Sequence, residues 1–170
     1  MAGVATAREE AKSTWNPVFV RSVRTAIAAV VSALVARLFR LPEAYWAPIT
    51  TLVITQSSLG AALAVSWQRF VGTVLGAIVG ALVASYVGAN LLVFGIGIFV
   101  LGLLSFLARS DRSAYRFAGV TLAIVMLVPR TGPAWKIALH RFAEVSIGIA
   151  VALIFTVLWP ESKDKQADKS

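Results

Sequence analysis

Six long stretches free or nearly free of charge fill the chain from Val23 to Pro160, with little sequence between them. No other feature constrains the fold as much. A bilayer core is about 30 Å thick, so a spanning helix needs roughly 20 mostly apolar residues. Within hydrocarbon the backbone must satisfy its own polar groups, which makes runs of this length helices. With 58% hydrophobic residues, 14% charged residues and a mean hydropathy of +0.80, no stretch remains for a soluble catalytic or nucleotide-binding domain.

The expected fold is all-α: a polytopic membrane protein with six transmembrane helices. A cytoplasmic N-terminal segment over 1–21 precedes a six-helix membrane domain over 22–160 and a cytoplasmic tail over 161–170. The spans read as 22–40, 44–66, 68–87, 90–108, 114–130 and 136–159. Val71 to Ala108 carries no charge. As one helix it would be about 57 Å long, so it turns, and Gly88-Ala89-Asn90 is the place. Pro42 marks the first turn, and Pro129 with Thr131-Gly132-Pro133 the fifth. Trp15, Trp46, Trp67, Trp135 and Trp159 all fall at expected span ends, where interfacial enrichment of Trp would put them.

A net charge of +8 in a soluble chain would suggest nucleic acid. Here the basic residues flank apolar spans, so they read as topology signals and not as a nucleic-acid surface. Arg8, Lys12, Arg21, Arg24, Arg69, Arg109, Arg112, Arg116, Lys163, Lys165 and Lys169 fall on one side. Arg37, Arg40, Arg130, Lys136 and Arg141 fall on the other. The richer side is cytoplasmic and holds both termini. Arg8, Glu9, Glu10, Lys12, Asn16 and Pro17 deny the first 20 residues the apolar core of a cleavable signal, so the first span directs insertion. The absence of cysteine excludes disulfides and thiolate chemistry.

The sequence carries an internal echo. Trp67-Gln68-Arg69-Phe70 opens span three and Leu139-His140-Arg141-Phe142 opens span six. At the same offset of 72, Gly76 matches Gly148 and Val79 matches Val151; at 71, Ala47 matches Ala118 and Thr50 matches Thr121. The unit is three spans. An odd unit makes the two copies face opposite ways, as two inverted three-helix repeats.

Several residues sit awkwardly in lipid. Arg24 and Arg37 enclose only 12 residues, and Arg116 and Arg130 only 13, which is short of a bilayer core. Snorkelling at helix ends suits Arg37 and Arg40. For Arg24 and Arg116, snorkelling and an anion path stand side by side. Arg141 and Glu144 share a helix face at i,i+3, either as a structural pair or with Glu144 taking up protons during transport. In span two, Thr51, Thr55 and Ser58 share a face, and their hydroxyls can bond the preceding turn. The Gln56 amide has more to satisfy, by interhelical bonding or by substrate contact. Gly72, Gly76 and Gly80 form a small-residue packing face, and no strand precedes them to make a phosphate loop. His140 is the only histidine, so no metal site is expected. No nucleophile–base pair and no cofactor site appear, and no enzyme activity is expected.

The block Arg24-Thr25-Ala26, Leu41 to Thr50 (LPEAYWAPIT), Gln56 to Gly60 (QSSLG) and Gln68 to Gly76 (QRFVGTVLG) resembles the fusaric-acid-resistance-like (FUSC) family. So does Arg141-Phe142-Ala143-Glu144, followed by Gly148, Ala152 and Trp159-Pro160. The family includes the aromatic acid exporters, and the membrane part of plant malate-type anion channels is a remoter likeness. The resemblance implies a six-helix inner-membrane module exporting aromatic carboxylic acids or related organic anions. On that reading the arginines attract the carboxylate, so Arg24, Gln56, Arg69, Arg116 and Arg141 are expected along an anion path, and the span-end aromatics Tyr45 and Trp46 against a substrate ring. Larger family members carry two modules or an added cytoplasmic domain. A single module therefore implies a homodimer, with a passive anion channel at its interface or a non-transporting accessory subunit as the alternatives.

Overall fold

The computed structural model describes residues 2–55, 58–88, 90–107, 112–128 and 132–159, with side chains from Val18 onward except that of Arg112. Six helices follow one another: α1 (Ala2–Leu38), α2 (Trp46–Ile54), α3 (Leu59–Tyr86), α4 (Leu91–Leu107), α5 (Arg112–Leu127) and α6 (Ala134–Leu158). No strand occurs among the described residues. Val18–Leu38 of α1, together with α3 and α6, is long and apolar enough to cross a membrane, while α4 and α5 are shorter apolar helices. The fold is that of a polytopic membrane protein.

The interior is built from small residues. Ala28, Ala36, Ala47, Ala62, Ala118 and Ala152 are fully buried. Ile54, Leu101 and Leu122 are buried among them, but many of the large apolar side chains point outward, Phe99 at 73% exposure and Phe106 at 80%. A soluble core has the opposite distribution. In a bilayer, lipid solvates the large side chains, and close backbone approach through Gly and Ala holds the helices together.

The glycine face expected on span three performs this role. A Cβ on Gly72 would lie 2.7 Å from Phe117 Cβ, and one on Gly76 would lie 2.8 Å from Thr121 Cβ. The backbone oxygens of Ala114 and Ala118 come closer still. Gly80 is looser, 3.1 Å from Val125 Cβ. These contacts advance together along both chains, so α3 and α5 are parallel. Phe70 meets Phe142 edge-on at 5.4 Å, and Ala77 packs with Ile137 and Ala138, so α3 and α6 are antiparallel.

The inverted repeat is visible as paired contacts. Gly76 seats against Ala118 O and Thr121 Cβ, and Gly148 seats against Ala47 O and Thr50 Cβ. The offsets are the 72 and 71 of the sequence echo. Each repeat thus packs the second helix of its partner against its own third. Phe70 and Phe142 are mates under the same offset, so the pseudo-two-fold axis passes between them.

The second span departs from expectation. Residues 44–66 do not form one helix. They divide into α2, nine residues long and about 13 Å, and the start of α3. Thr55 leaves helical geometry at φ −68°, ψ 63°, and Ser58 caps α3, its Oγ accepting from Ala61 N at 3.2 Å. The polar run makes this break tolerable. Thr55 Oγ1 donates to Thr51 O at 2.6 Å, and Thr51 Oγ1 lies 3.1 Å from both Ala47 O and Gly148 O. Hydroxyls satisfy carbonyls where the helix ends, as apolar surroundings require.

Two further expectations change with it. Trp67 lies inside α3, not at a span end, and is 67% exposed. Arg69 and Arg141 do not open their helices: Arg69 is roughly 15 Å along α3 and Arg141 roughly 10 Å along α6. At the other end, α1 is already helical at Ala2, within the 1–21 segment. The turns expected at Pro42 and Gly88 are present, Gly88 at φ +92°, a region closed to most side chains.

Candidate functional site

The helix crossing at Phe70 and Phe142 collects three of the four buried charged residues among those described. Arg69, Arg141 and Glu144 are 6%, 1% and 0% exposed. Ionisable groups inside a membrane bundle are costly and mark function by default. α3 and α6 bring the two arginines together because each immediately precedes a phenylalanine of the axial pair.

Each guanidinium lies over an aromatic ring supplied by the second helix of a repeat. Arg141 sits 4.0 Å from the Trp46 ring centroid, and Arg69 sits 4.9 Å from that of Phe117. Trp46 and Phe117 are separated by 71 and the arginines by 72, so the two cation–π pairs are repeat mates. Such pairs strengthen on desolvation, to about 2 kcal/mol. Thr50 and Thr121, one turn further on, are also mates, and their hydroxyls donate to Trp46 O at 3.0 Å and Phe117 O at 3.1 Å.

The polar contacts then diverge. Arg141 Nη1 donates to Glu144 Oε2 at 3.2 Å. Arg69 Nε donates to Thr50 Oγ1 at 3.1 Å, and among the described residues Arg69 has no carboxylate partner. Glu144 Oε1 is buried with no hydrogen-bond partner among them. Glu43 Oε2 accepts from Trp46 Nε1 at 3.0 Å, which fixes the indole beneath Arg141.

The remaining expected site residues are spread out. Arg24 is 2% exposed at the far end of α6, where its Nη1 donates to Trp159 O at 2.8 Å. Arg116 lies on the exposed face of α5. Tyr45 is 55% exposed and 5.6 Å from Trp46, ring to ring. Gln56 lies outside the described residues. Phe117 joins the cluster without having been singled out from sequence. The echo held the signal: the residue before the Ala47/Ala118 match is aromatic in both copies.

Buried cations at the centre of an inverted repeat, within helices long enough to cross a bilayer, define a polytopic membrane protein with its charge held inside the bundle. The chain belongs to the family described as fusaric acid resistance protein-like, whose model matches residues 27–155. It is similar to Inner membrane protein YeeA of Escherichia coli (strain K12), 33% identical over 149 residues, which are 84% of this chain and 41% of that protein. It is also similar to Uncharacterized transporter YdhK of the same organism, 26% identical over 155 residues, 86% of this chain and 23% of that protein. An uncharacterized protein of Haemophilus influenzae is 29% identical over 157 residues, 91% and 22% respectively. The chain spans less than half the length of these curated relatives.

Proposed function

We propose that this chain is a transporter module for organic anions in the bacterial inner membrane, with aromatic carboxylic acids as its substrate class. The observation that carries the reading is Arg69: a buried guanidinium, well inside a spanning helix, without a carboxylate partner among the described residues. Low-dielectric walls strengthen the field of such a charge and favour an anion beside it. The Phe117 and Trp46 rings against the two guanidiniums give a flat aromatic anion apolar surface next to charge. Family membership and the names of two relatives, an inner membrane protein and a transporter, support the same reading. The module works as a homodimer, with both termini in the cytoplasm.

The test is uptake of labelled benzoate into vesicles carrying matched amounts of protein. Arg69→Gln should insert and fold but lose at least nine-tenths of the flux. Arg69→Lys should be intermediate, because lysine keeps the charge without the planar fork. Normal flux in Arg69→Gln would refute the assignment.

A further inference from the structure

Thr50 and Thr121 are repeat mates in nearly identical surroundings, 0% and 2% exposed. Each hydroxyl donates to the carbonyl one turn back, Trp46 O at 3.0 Å and Phe117 O at 3.1 Å. Each side chain also faces a glycine of the other repeat. A Cβ on Gly148 would lie 2.5 Å from Thr50 Cβ, and one on Gly76 would lie 2.8 Å from Thr121 Cβ. The mates differ in one bond. Thr50 Oγ1 also accepts from Arg69 Nε at 3.1 Å, whereas among the described residues Thr121 Oγ1 bonds Phe117 O alone. The carboxylates of the cluster stand with the other guanidinium: Glu144 accepts from Arg141 Nη1, and Glu43 accepts from the Trp46 indole beneath it.

We infer that Thr50 is the positioning residue of the anion seat: its hydroxyl sets the direction in which Arg69 presents its two terminal nitrogens to an incoming carboxylate. The inference rests on the anion role proposed above and adds the residue that aims it. The Phe117 ring, 4.9 Å from Arg69 Cζ, covers one face of the guanidinium. A ring face holds the plane but lets it turn within itself. The bond from Nε to Thr50 Oγ1 stops that turn. With Nε engaged, Nη1 and Nη2 remain as the parallel donors that grip a carboxylate two-pronged, and neither has a hydrogen-bond partner among the described residues. Thr50 is itself held. A threonine in a helix has two accessible rotamers. Its methyl meets Gly148, where a Cβ would lie 2.9 Å from Thr50 Cγ2, and its hydroxyl is tied to Trp46 O, so one rotamer is selected. With the proton committed to Trp46 O, the hydroxyl oxygen offers Arg69 a lone pair in a fixed direction.

The experiment is equilibrium dialysis of labelled benzoate against the full chain in nanodiscs, with helix content checked for every variant. Serine keeps the hydroxyl and lacks the methyl, valine keeps the methyl and lacks the hydroxyl, and alanine lacks both. Affinity should follow the hydroxyl. Thr50→Ser should bind within about threefold of wild type. Thr50→Val and Thr50→Ala should both bind about 10- to 100-fold more weakly, the effect of one hydrogen bond to a charged group. Either variant tests the hydroxyl if the other fails to fold. Thr121→Val, the same deletion at the mate, should stay within about threefold of wild type, and Arg69→Gln should not bind. A packing role would sort the Thr50 variants by the methyl instead, with valine like wild type and serine like alanine. That order, an equal effect in all three Thr50 variants, or an equal loss in Thr121→Val would overturn the inference and leave the anion role of Arg69 standing. Full binding by Arg69→Gln, or none by wild type, would remove both.

Discussion

Gly148→Ala measures the helix contact on which the repeat turns. The new Cβ would lie 2.5 Å from both Ala47 O and Thr50 Cβ, and 2.9 Å from Thr50 Cγ2. Ordinary contacts begin near 3.4 Å. Ala47 O is backbone in the middle of the contact and cannot swing aside, so α2 and α6 must part by about 1 Å. Overpacking of this kind costs about 1–3 kcal/mol. The parting also stretches the Thr51 Oγ1 contact to Gly148 O, a bond of about 1 kcal/mol. Against this, alanine is a better helix former by about 1 kcal/mol. The net is about 1–3 kcal/mol of destabilisation, or roughly 5- to 150-fold in the unfolding equilibrium. Gly76→Ala, its repeat mate, should match it within about 1 kcal/mol. Gly80→Ala meets only side chains at 3.1–3.4 Å and should stay within about 0.5 kcal/mol of wild type, since side chains can adjust. Gly95→Ala meets nothing within 4 Å and should stabilise by up to about 1 kcal/mol. The assay is unfolding in mixed micelles by titration with denaturing detergent, followed by circular dichroism. Equal stability of the Gly148→Ala and Gly80→Ala variants would refute the close-packing argument.

Reporter fusions at Asn90 and after Ser170 should fall on opposite sides of the membrane, the tail inside, as the distribution of Lys and Arg requires; reporters on one side would end the six-crossing topology. The mass of the chain in nanodiscs should be that of a dimer, and a monomer at every protein concentration would contradict the proposed assembly.

What the sequence disclosed follows from what hydropathy and spacing can sense. Pro42 and Gly88 announced their turns for opposite reasons, proline because its ring fixes φ and glycine because it accepts the positive φ that other residues avoid. The echo of Gly76 in Gly148, with Ala47/Ala118 and Thr50/Thr121, marked the contacts that relate the halves, since close approach tolerates few residue types. The break at Thr55 stayed hidden because residues 44–66 are apolar enough to read as one span. Its signals were the Thr51, Thr55 and Ser58 hydroxyls, which serve equally well in an unbroken helix. The depth of Arg69 was hidden for the same reason: with span two run on to residue 66, Arg69 fell at the start of span three. The pairing of Arg141 with Glu144 was legible in their i,i+3 spacing, whereas the seat of Arg69 beside Thr50 depends on a contact between helices that periodicity does not encode.

The unequal helix lengths give this protein a rim of uneven height. α3 and α6, at 28 and 25 residues, reach about 42 and 38 Å, while the described parts of α4 and α5, at 17 and 16 residues, reach about 26 and 24 Å. A bilayer thick enough to cover the first pair exceeds the described length of the second pair, and lipid beside α4 and α5 would compress to match it. Each ångström of such mismatch costs a fraction of a kcal/mol. The strain is relieved when the thin sides of two molecules meet or when the surrounding acyl chains shorten. The thickness of the host membrane thus becomes a variable that acts on this fold from outside, through α4 and α5.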